Sequence, residues 1–282
     1  SQMMSGDKKQ SEWIGYHDKN IHHIAFPYPW KTNEENAEQF LEKSLRNLNR
    51  KLNLKKDICG IMIETFQGWG AIFYPKKYIQ LLAKICKRNN ILIAFDEMQA
   101  GFGRTGKNFG FEHYGIKPDL ICCGKGMGGG IALSGVIGKK KIMDLPDIGN
   151  MSSTNSANPI ACSAGLAVIE EIEKKKLTNR SKNLGILLHK DLNKISKKYS
   201  NLFQVYGKGL IASMVFDEKN SNINHKLRLV VETAMKNGLL LCYTGRNSIK
   251  IGPPLTITKE ALIEGLEIIE QSIVKVFQYD SN

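Results

Sequence analysis

The chain has 282 residues, of which 42% are hydrophobic and 24% charged. That is the composition of a folded globular protein, and it excludes disorder, a collagen repeat or a continuous coiled coil as whole-chain readings. No run of about 18 apolar residues occurs, so no membrane-spanning helix is expected, and the polar start Ser1-Gln2-Met3-Met4 carries no apolar signal segment. The formal net charge of +13 comes from lysines scattered through the chain, and the short runs Lys139–Lys141 and Lys174–Lys176 are not interleaved with aromatics. Neither nucleic acid nor a membrane is therefore the expected partner. Cys59, Cys86, Cys122, Cys123, Cys162 and Cys242 form no CxxC pair, and several sit in apolar runs. They read as reduced, buried thiols of a cytoplasmic protein. The histidines show no metal-ligand spacing, and the adjacent pair His22-His23 would point to opposite faces of a strand.

In chain order, Ile21 to Phe26 reads as a short apolar strand stopped by Pro27-Tyr28-Pro29. Asn33 to Asn49 repeats Ala37, Phe40, Leu41, Leu45 and Leu48 at helical spacing. Cys59 to Thr65 is an apolar strand with Glu64 near its end, and Pro75 to Asn89 is an amphipathic helix. Ile91 to Phe95 is a continuous apolar strand ending in Asp96-Glu97. Asp119 to Cys123 is another, ending in Gly124-Lys125-Gly126, and Ala132 to Ile137 is a fourth. Pro159 to Lys174 and Leu177 to Lys198 read as long helices. Beyond residue 200, strands are expected at Gly209–Phe216, near Leu239–Tyr243 and at Ser248–Ile251. Helices are expected at Asn224–Asn237 and from Lys259 to about Val276. Non-alternating strands separated by helices imply an α/β fold with a mostly parallel sheet covered on both faces, and the last part reads as a smaller α+β unit. In open α/β sheets ligands bind beyond the carboxyl ends of the strands, which is where Glu64, Asp96 and Lys125 stand.

Gly124, Gly126 and Gly129 satisfy G-x-G-x-x-G after a strand. A dinucleotide fingerprint also needs a helix opening in the glycines, whereas Gly130 to Ile137 reads as extended. Another chemistry fits Lys125 better. A lysine held in a partly desolvated crevice can form a Schiff base, and flanking glycines let a planar cofactor approach the backbone. Asp96, at the end of a separate strand, could pair with a pyridinium nitrogen, the partner that pyridoxal phosphate requires. The plain alternatives are a solvated strand-end lysine and a carboxylate capping the next turn.

Asp96-Glu97-Met98-Gln99-Ala100-Gly101-Phe102-Gly103-Arg104-Thr105-Gly106 resembles the D-E-V-Q-x-G-F-G-R-T-G stretch of the class III, ω-amino-acid-type aminotransferases. Phe111–Gly115, Lys117-Pro118-Asp119 and Gly124–Gly130 continue the match. Ile63-Glu64-Thr65-Phe66-Gln67-Gly68 resembles an E-P-x-Q-G segment with Thr65 in place of proline. Ser153–Pro159 resembles S-T-x-x-x-N-P, and Pro253-Pro254-Leu255 a late signature. The resemblance runs from about Ile21 to Ile273 and implies a fold type I, pyridoxal-5'-phosphate-dependent aminotransferase. It gives residues 1–175 as the large cofactor-binding domain, N-terminally incomplete, and 176–282 as a connecting helix with the small C-terminal domain.

The roles it implies are specific. Lys125 would hold the cofactor as a Schiff base and move the substrate's α-proton. Asp96 would bond the ring nitrogen, Met98 pack on a ring face and Gln99 bond the ring hydroxyl. Thr154 would bind the phosphate held by a neighbouring subunit, implying a homodimer with shared sites, and Glu64 would lie in the substrate pocket. The amino group would pass from an amine or amino-acid donor to an oxo acid or aldehyde. Two departures stand out. Where the family commonly has an arginine before Pro-Pro-Leu this chain has Lys250, a point charge without bidentate carboxylate recognition; a racemase, mutase or phospholyase of the same family is the alternative this motivates. The family's N-terminal third, with its phosphate-gripping loop and stacking aromatic, has no counterpart in Ser1–Trp30, so a chain that is inactive without an N-terminal partner is a further expectation.

Overall fold

The computed structural model describes residues 2–6, 11–50, 52–217 and 222–278. Helix α1 (Ala37–Asn49) buries Ala37 and Leu41, one turn apart. Strand β1 (Gly60–Glu64) follows a short helical turn. Helix α2 (Lys76–Asn89) buries Tyr78, Ile79, Leu82 and Cys86 along one stripe and stops where Asn90 takes a left-handed conformation at φ +57. Strands β2 (Leu92–Asp96), β3 (Leu120–Cys123) and β4 (Gly135–Gly138) complete a sheet of order β1-β2-β3-β4. The first three strands run parallel and β4 runs antiparallel to β3. Helix α1 lies on α2, and α2 packs on β2. Their shared core joins Leu41, Ile63, Tyr78, Leu82, Ile93, Phe95 and Tyr114.

Helix α3 (Pro159–Lys174) begins where Asn158 accepts the N–H groups of Ile160 and Ala161, with proline at the first helical position. It packs on the turn that follows β3. Lys176, left-handed at φ +50, separates it from α4 (Leu177–Lys198). A second sheet follows, of order β5-β6-β8-β7: β5 (Phe203–Lys208), β6 (Ile211–Phe216), β7 (Cys242–Tyr243) and β8 (Ser248–Ile251), antiparallel throughout. Helices α4, α5 (Ile223–Lys236) and α6 (Lys259–Phe277) close a second core on it around Leu192, Leu210, Met214, Leu227, Ile249 and Leu266. A small cluster of Phe66, Ala71, Ala100 and Ile211 bridges the two cores.

Three expectations are corrected. Ile21–Phe26 forms no strand. It has an apolar sequence but no ladder partner, and side chains hold it instead: Phe26 packs against Tyr74 with tilted rings, centres 4.5 Å apart, and the Tyr78 hydroxyl donates to Ala25 O at 3.4 Å. Strand β5 was not expected, and Gly209-Leu210, read as the start of a strand, is the hairpin turn between β5 and β6. Among the cysteines Cys59 and Cys242 are exposed, so burial describes Cys86 and Cys123 only; no disulfide occurs among the described residues. Among those residues no helix is long and apolar enough to cross a membrane, and no group of histidine, cysteine and carboxylate side chains could hold a metal ion.

Candidate active site

The parallel register puts Glu64 beside Asp96 and Asp96 beside Cys122 at the carboxyl edge of the first sheet. Lys125 leaves that edge three residues after Cys122, in a short 3-10 turn, Lys125–Gly128. Glu64, Asp96 and Lys125, distant in sequence, thus share one strand-end crevice. Lys125 stands at φ +44, in the left-handed region. A residue with a Cβ pays about 1–3 kcal/mol for that backbone, strain that structures tend to hold at functional sites. Gly124 before it is extended, and a Cβ there would come 2.4 Å from Met98 Sδ; around Gly126 the space is open. The glycines thus serve a tight approach to Met98 on one side and a bare backbone face on the other. No helix opens at these glycines, as the dinucleotide reading would require.

Asp96 accepts the Met98 N–H through Oδ1 at 2.9 Å, the capping role that the plain reading gives it. Its Oδ2 takes no hydrogen bond from the described residues and is available to a ligand. Glu64 Oε2 accepts the Gly68 N–H at 3.1 Å. Burial pushes the Glu64 carboxyl above its ordinary range; the Gly68 bond opposes this, Asp96 adds to it, and Lys250 and Lys125 oppose it. Lys250, on β8, reaches from the second sheet to the first: Nζ donates to Gly68 O at 3.1 Å and to Gln99 Oε1 at 2.8 Å. Met98, Gln99, Gly124 and Lys125 line a cleft of ≈ 750 Å³ whose other wall includes Val168 of α3 and Leu255. Six of the seven expected site residues, Glu64, Asp96, Met98, Gln99, Lys125 and Lys250, are therefore gathered around one region. Thr154 is not: it lies in an exposed turn before α3 and does not line the cleft.

Three residues inside the recognised motifs have jobs that the motifs did not reveal. Gly68 carries both the Glu64 and the Lys250 contacts, and a Cβ there would stand 2.8 Å from both Gln99 Nε2 and Glu64 Oε1. Glu97, fully buried beneath Asp96, accepts the Thr65 hydroxyl and the N–H groups of Gly110 and Phe111 at 2.7 and 2.8 Å. Arg104 donates to Leu210 O at 3.0 Å and to Pro253 O, fastening the C-terminal wall of the cleft to the first sheet. The glycine, the glutamate and the arginine were visible in the motifs; their remote partners were not.

The sequence matches the family Aminotransferase class-III over residues 3–273. The chain belongs to the class-III aminotransferase family. This class-III chain is 41% identical over 224 residues to the leucine/methionine racemase of Thermococcus litoralis, covering 78% of this chain and 50% of the relative. It is 34% identical over 222 residues to the acetylornithine aminotransferase of Caldanaerobacter subterraneus, covering 78% of this chain and 54% of the relative. The structure of acetylornithine aminotransferase from Elizabethkingia anophelis superposes with a TM-score of 0.72 at 31% identity, covering 82% of this chain and 60% of that one. The chain spans about half the length of the two sequence relatives. The α/β architecture is that of fold type I, and class-III aminotransferases are pyridoxal-phosphate dependent. The residues present fit that group: an exposed lysine beyond the sheet edge, an open glycine backbone beside it, and a carboxylate with one oxygen uncommitted.

Proposed function

We propose that this chain carries the catalytic lysine and the ring-binding side of a pyridoxal-phosphate-dependent aminotransferase, taking an amino group from an amine or amino-acid donor and passing it to an oxo acid or aldehyde. The observation that carries the reading is the convergence of Lys125, Asp96 and Glu64 on one strand edge. Bound there, pyridoxal phosphate would supply an electrophilic carbon and an electron sink for the substrate's α-carbon. Lys125 Nζ would hold the cofactor and would be the amine that takes and returns the substrate's α-proton. Asp96, through Oδ2, would pair with the ring nitrogen and hold it protonated, an interaction that partial burial would strengthen. Met98 bounds one ring face. Gln99 supplies a hydrogen bond to the ring hydroxyl, and Glu64 and Lys250 lie on the substrate side.

The test is to incubate the purified chain with pyridoxal phosphate, record the visible spectrum, reduce with borohydride and map the modified peptide. A visible band that reduces onto Lys125 and is lost in Lys125→Ala supports the reading. A folded chain with no band overturns it as a property of this chain alone. A second reading, racemisation, is favoured by the 41% identical racemase and by Lys250. Release of oxo product from a donor panel indicates transamination; loss of optical activity without oxo product indicates the racemase.

Two coarser features belong to the same reading. The division is at residues 175/176, supported by the separate C-terminal core, and the chain works in a reducing, cytoplasmic setting, supported by its free thiols. A homodimer with shared sites accounts for Thr154, which stands exposed beside the exposed apolar side chains Met151 and Ile160. Sedimentation of the chain with cofactor should show a dimer, and Thr154→Ala should weaken cofactor binding without touching the Lys125 attachment.

A further inference from the structure

Lys250 occupies β8 opposite Ser213 on one side and Cys242 on the other. Its ammonium crosses to the first sheet, where it donates to Gly68 O at 3.1 Å and Gln99 Oε1 at 2.8 Å. An ammonium has three donors and no lone pair, whereas a primary amide has an accepting end and a donating end. Gln99 can meet Lys250 only through oxygen. Fixing Oε1 on Lys250 turns the NH2 group the other way, toward Gly68 and Glu64: the position of a Cβ on Gly68 is 2.8 Å from Gln99 Nε2 and 2.8 Å from Glu64 Oε1. The Gly68 N–H completes the arrangement by donating to Glu64 Oε2 at 3.1 Å. The cation at this place is thus engaged by two protein acceptors, one of them the side chain expected at the cofactor ring.

We propose that Lys250 is a positioning residue that holds the Gln99 amide in a single orientation, oxygen toward β8 and NH2 toward Gly68 and Glu64. Gln99 then presents itself to the cleft as a hydrogen-bond donor. Without Lys250 the amide oxygen loses the cation that fixes it, and only the Glu64 carboxylate on the NH2 side still distinguishes the amide's two ends. The link to the cofactor ring rests on the function proposed above; the orientation of the amide does not.

The two are separated by experiment. In the cofactor-free chain labelled with 15N-glutamine, Gln99→Leu identifies the Gln99 side-chain NH2 signals. Lys250→Met should shift or broaden those signals, and Lys250→Arg, which keeps a donor at the same place, should restore them. Signals unmoved by Lys250→Met overturn the proposal whether or not cofactor binds. With pyridoxal phosphate added, Lys250→Met and Gln99→Leu should each displace the visible band of the Lys125-bound cofactor. The double variant should displace it no further than Gln99→Leu alone, because residues acting as one unit are non-additive. Fully additive displacements overturn the proposal. Gln99→Glu keeps an acceptor for Lys250 but replaces the NH2 donor with a carboxylate oxygen on the Glu64 side. The band should move in this variant, and an unmoved band counts against the proposal. Absence of any Lys125 band in the unaltered chain sinks the cofactor reading instead, and leaves the orientation to be decided by the glutamine signals.

Discussion

Adjacent carboxylates at the end of β2 have opposite tasks. Asp96 keeps an oxygen for a ligand, whereas Glu97 is fully buried and accepts three protein donors from Thr65, Gly110 and Phe111. Burial raises the Glu97 carboxyl and those three bonds oppose the rise. Removing the acceptor leaves buried donors unpaired, so Glu97→Ala should destabilise the chain by about 3–5 kcal/mol, measured by urea denaturation, and Glu97→Gln, which keeps one oxygen, by less. His113 gives a pH dependence with a definite sign. Burial first, and then the Lys208 and Lys107 cations, lower its pKa from 6.5 to about 4, against the hydrogen bond that the Thr105 carbonyl accepts from the ring. Between those values the unfolded chain binds a proton that the folded chain does not, so stability is lost as pH falls from 6.5 toward about 4 and levels off below. His113→Gln should flatten that part of the profile; a profile unchanged by the substitution would contradict this assignment.

At the scale of elements, the β5–β6 hairpin depends on one backbone position. Gly207 pairs with Ala212 at φ +121, and a Cβ there would stand 2.0 Å from Ile211 O. Gly207→Ala adds both left-handed strain and a clash with backbone, so a loss of about 2–5 kcal/mol is expected in chemical denaturation followed by circular dichroism. The same residue explains why β5 was illegible in the sequence: Phe203-Gln-Val-Tyr-Gly-Lys mixes polar positions with a glycine that argues against a strand interior. Strands β1, β2 and β3 were legible because parallel strands are continuous apolar runs, and Glu64, Asp96 and Lys125 were legible because they end those runs. Ile21–Phe26 had the composition of a strand, but composition cannot supply a ladder partner. Gly68 and Arg104 escaped for a related reason. Their work lies in contacts with Lys250, Leu210 and Pro253, which no local pattern encodes.

Across the whole molecule, Arg104 is a polar tie between the two cores, beside the contacts of Lys250 and Ser248 with the first sheet. Its guanidinium donates to Leu210 O and Pro253 O. Its own carbonyl accepts the Leu210 N–H at 3.0 Å and the Ser181 hydroxyl at 2.8 Å. Burial lowers the Arg104 pKa from its ordinary value, but a guanidinium stays charged in proteins. Arg104→Ala leaves the Leu210 and Pro253 carbonyls without their donor and a cavity at the junction, at a cost of about 2–4 kcal/mol; Arg104→Lys, lacking the planar fork, should recover only part. The apolar bridge of Phe66, Ala71, Ala100 and Ile211 remains, so the expected effect is loosened coupling rather than collapse of either core. The probes for this are built into the chain. All three tryptophans, Trp13, Trp30 and Trp69, precede β2, so fluorescence is weighted to the N-terminal part, with Trp69 also sensing Arg246 across the junction, while far-ultraviolet circular dichroism reports on both cores. Coincident transitions are the mark of one cooperative unit. The two probes should coincide in the unaltered chain and separate in Arg104→Ala. Separation already present in the unaltered chain would show that the cores unfold independently and that Arg104 does not couple them.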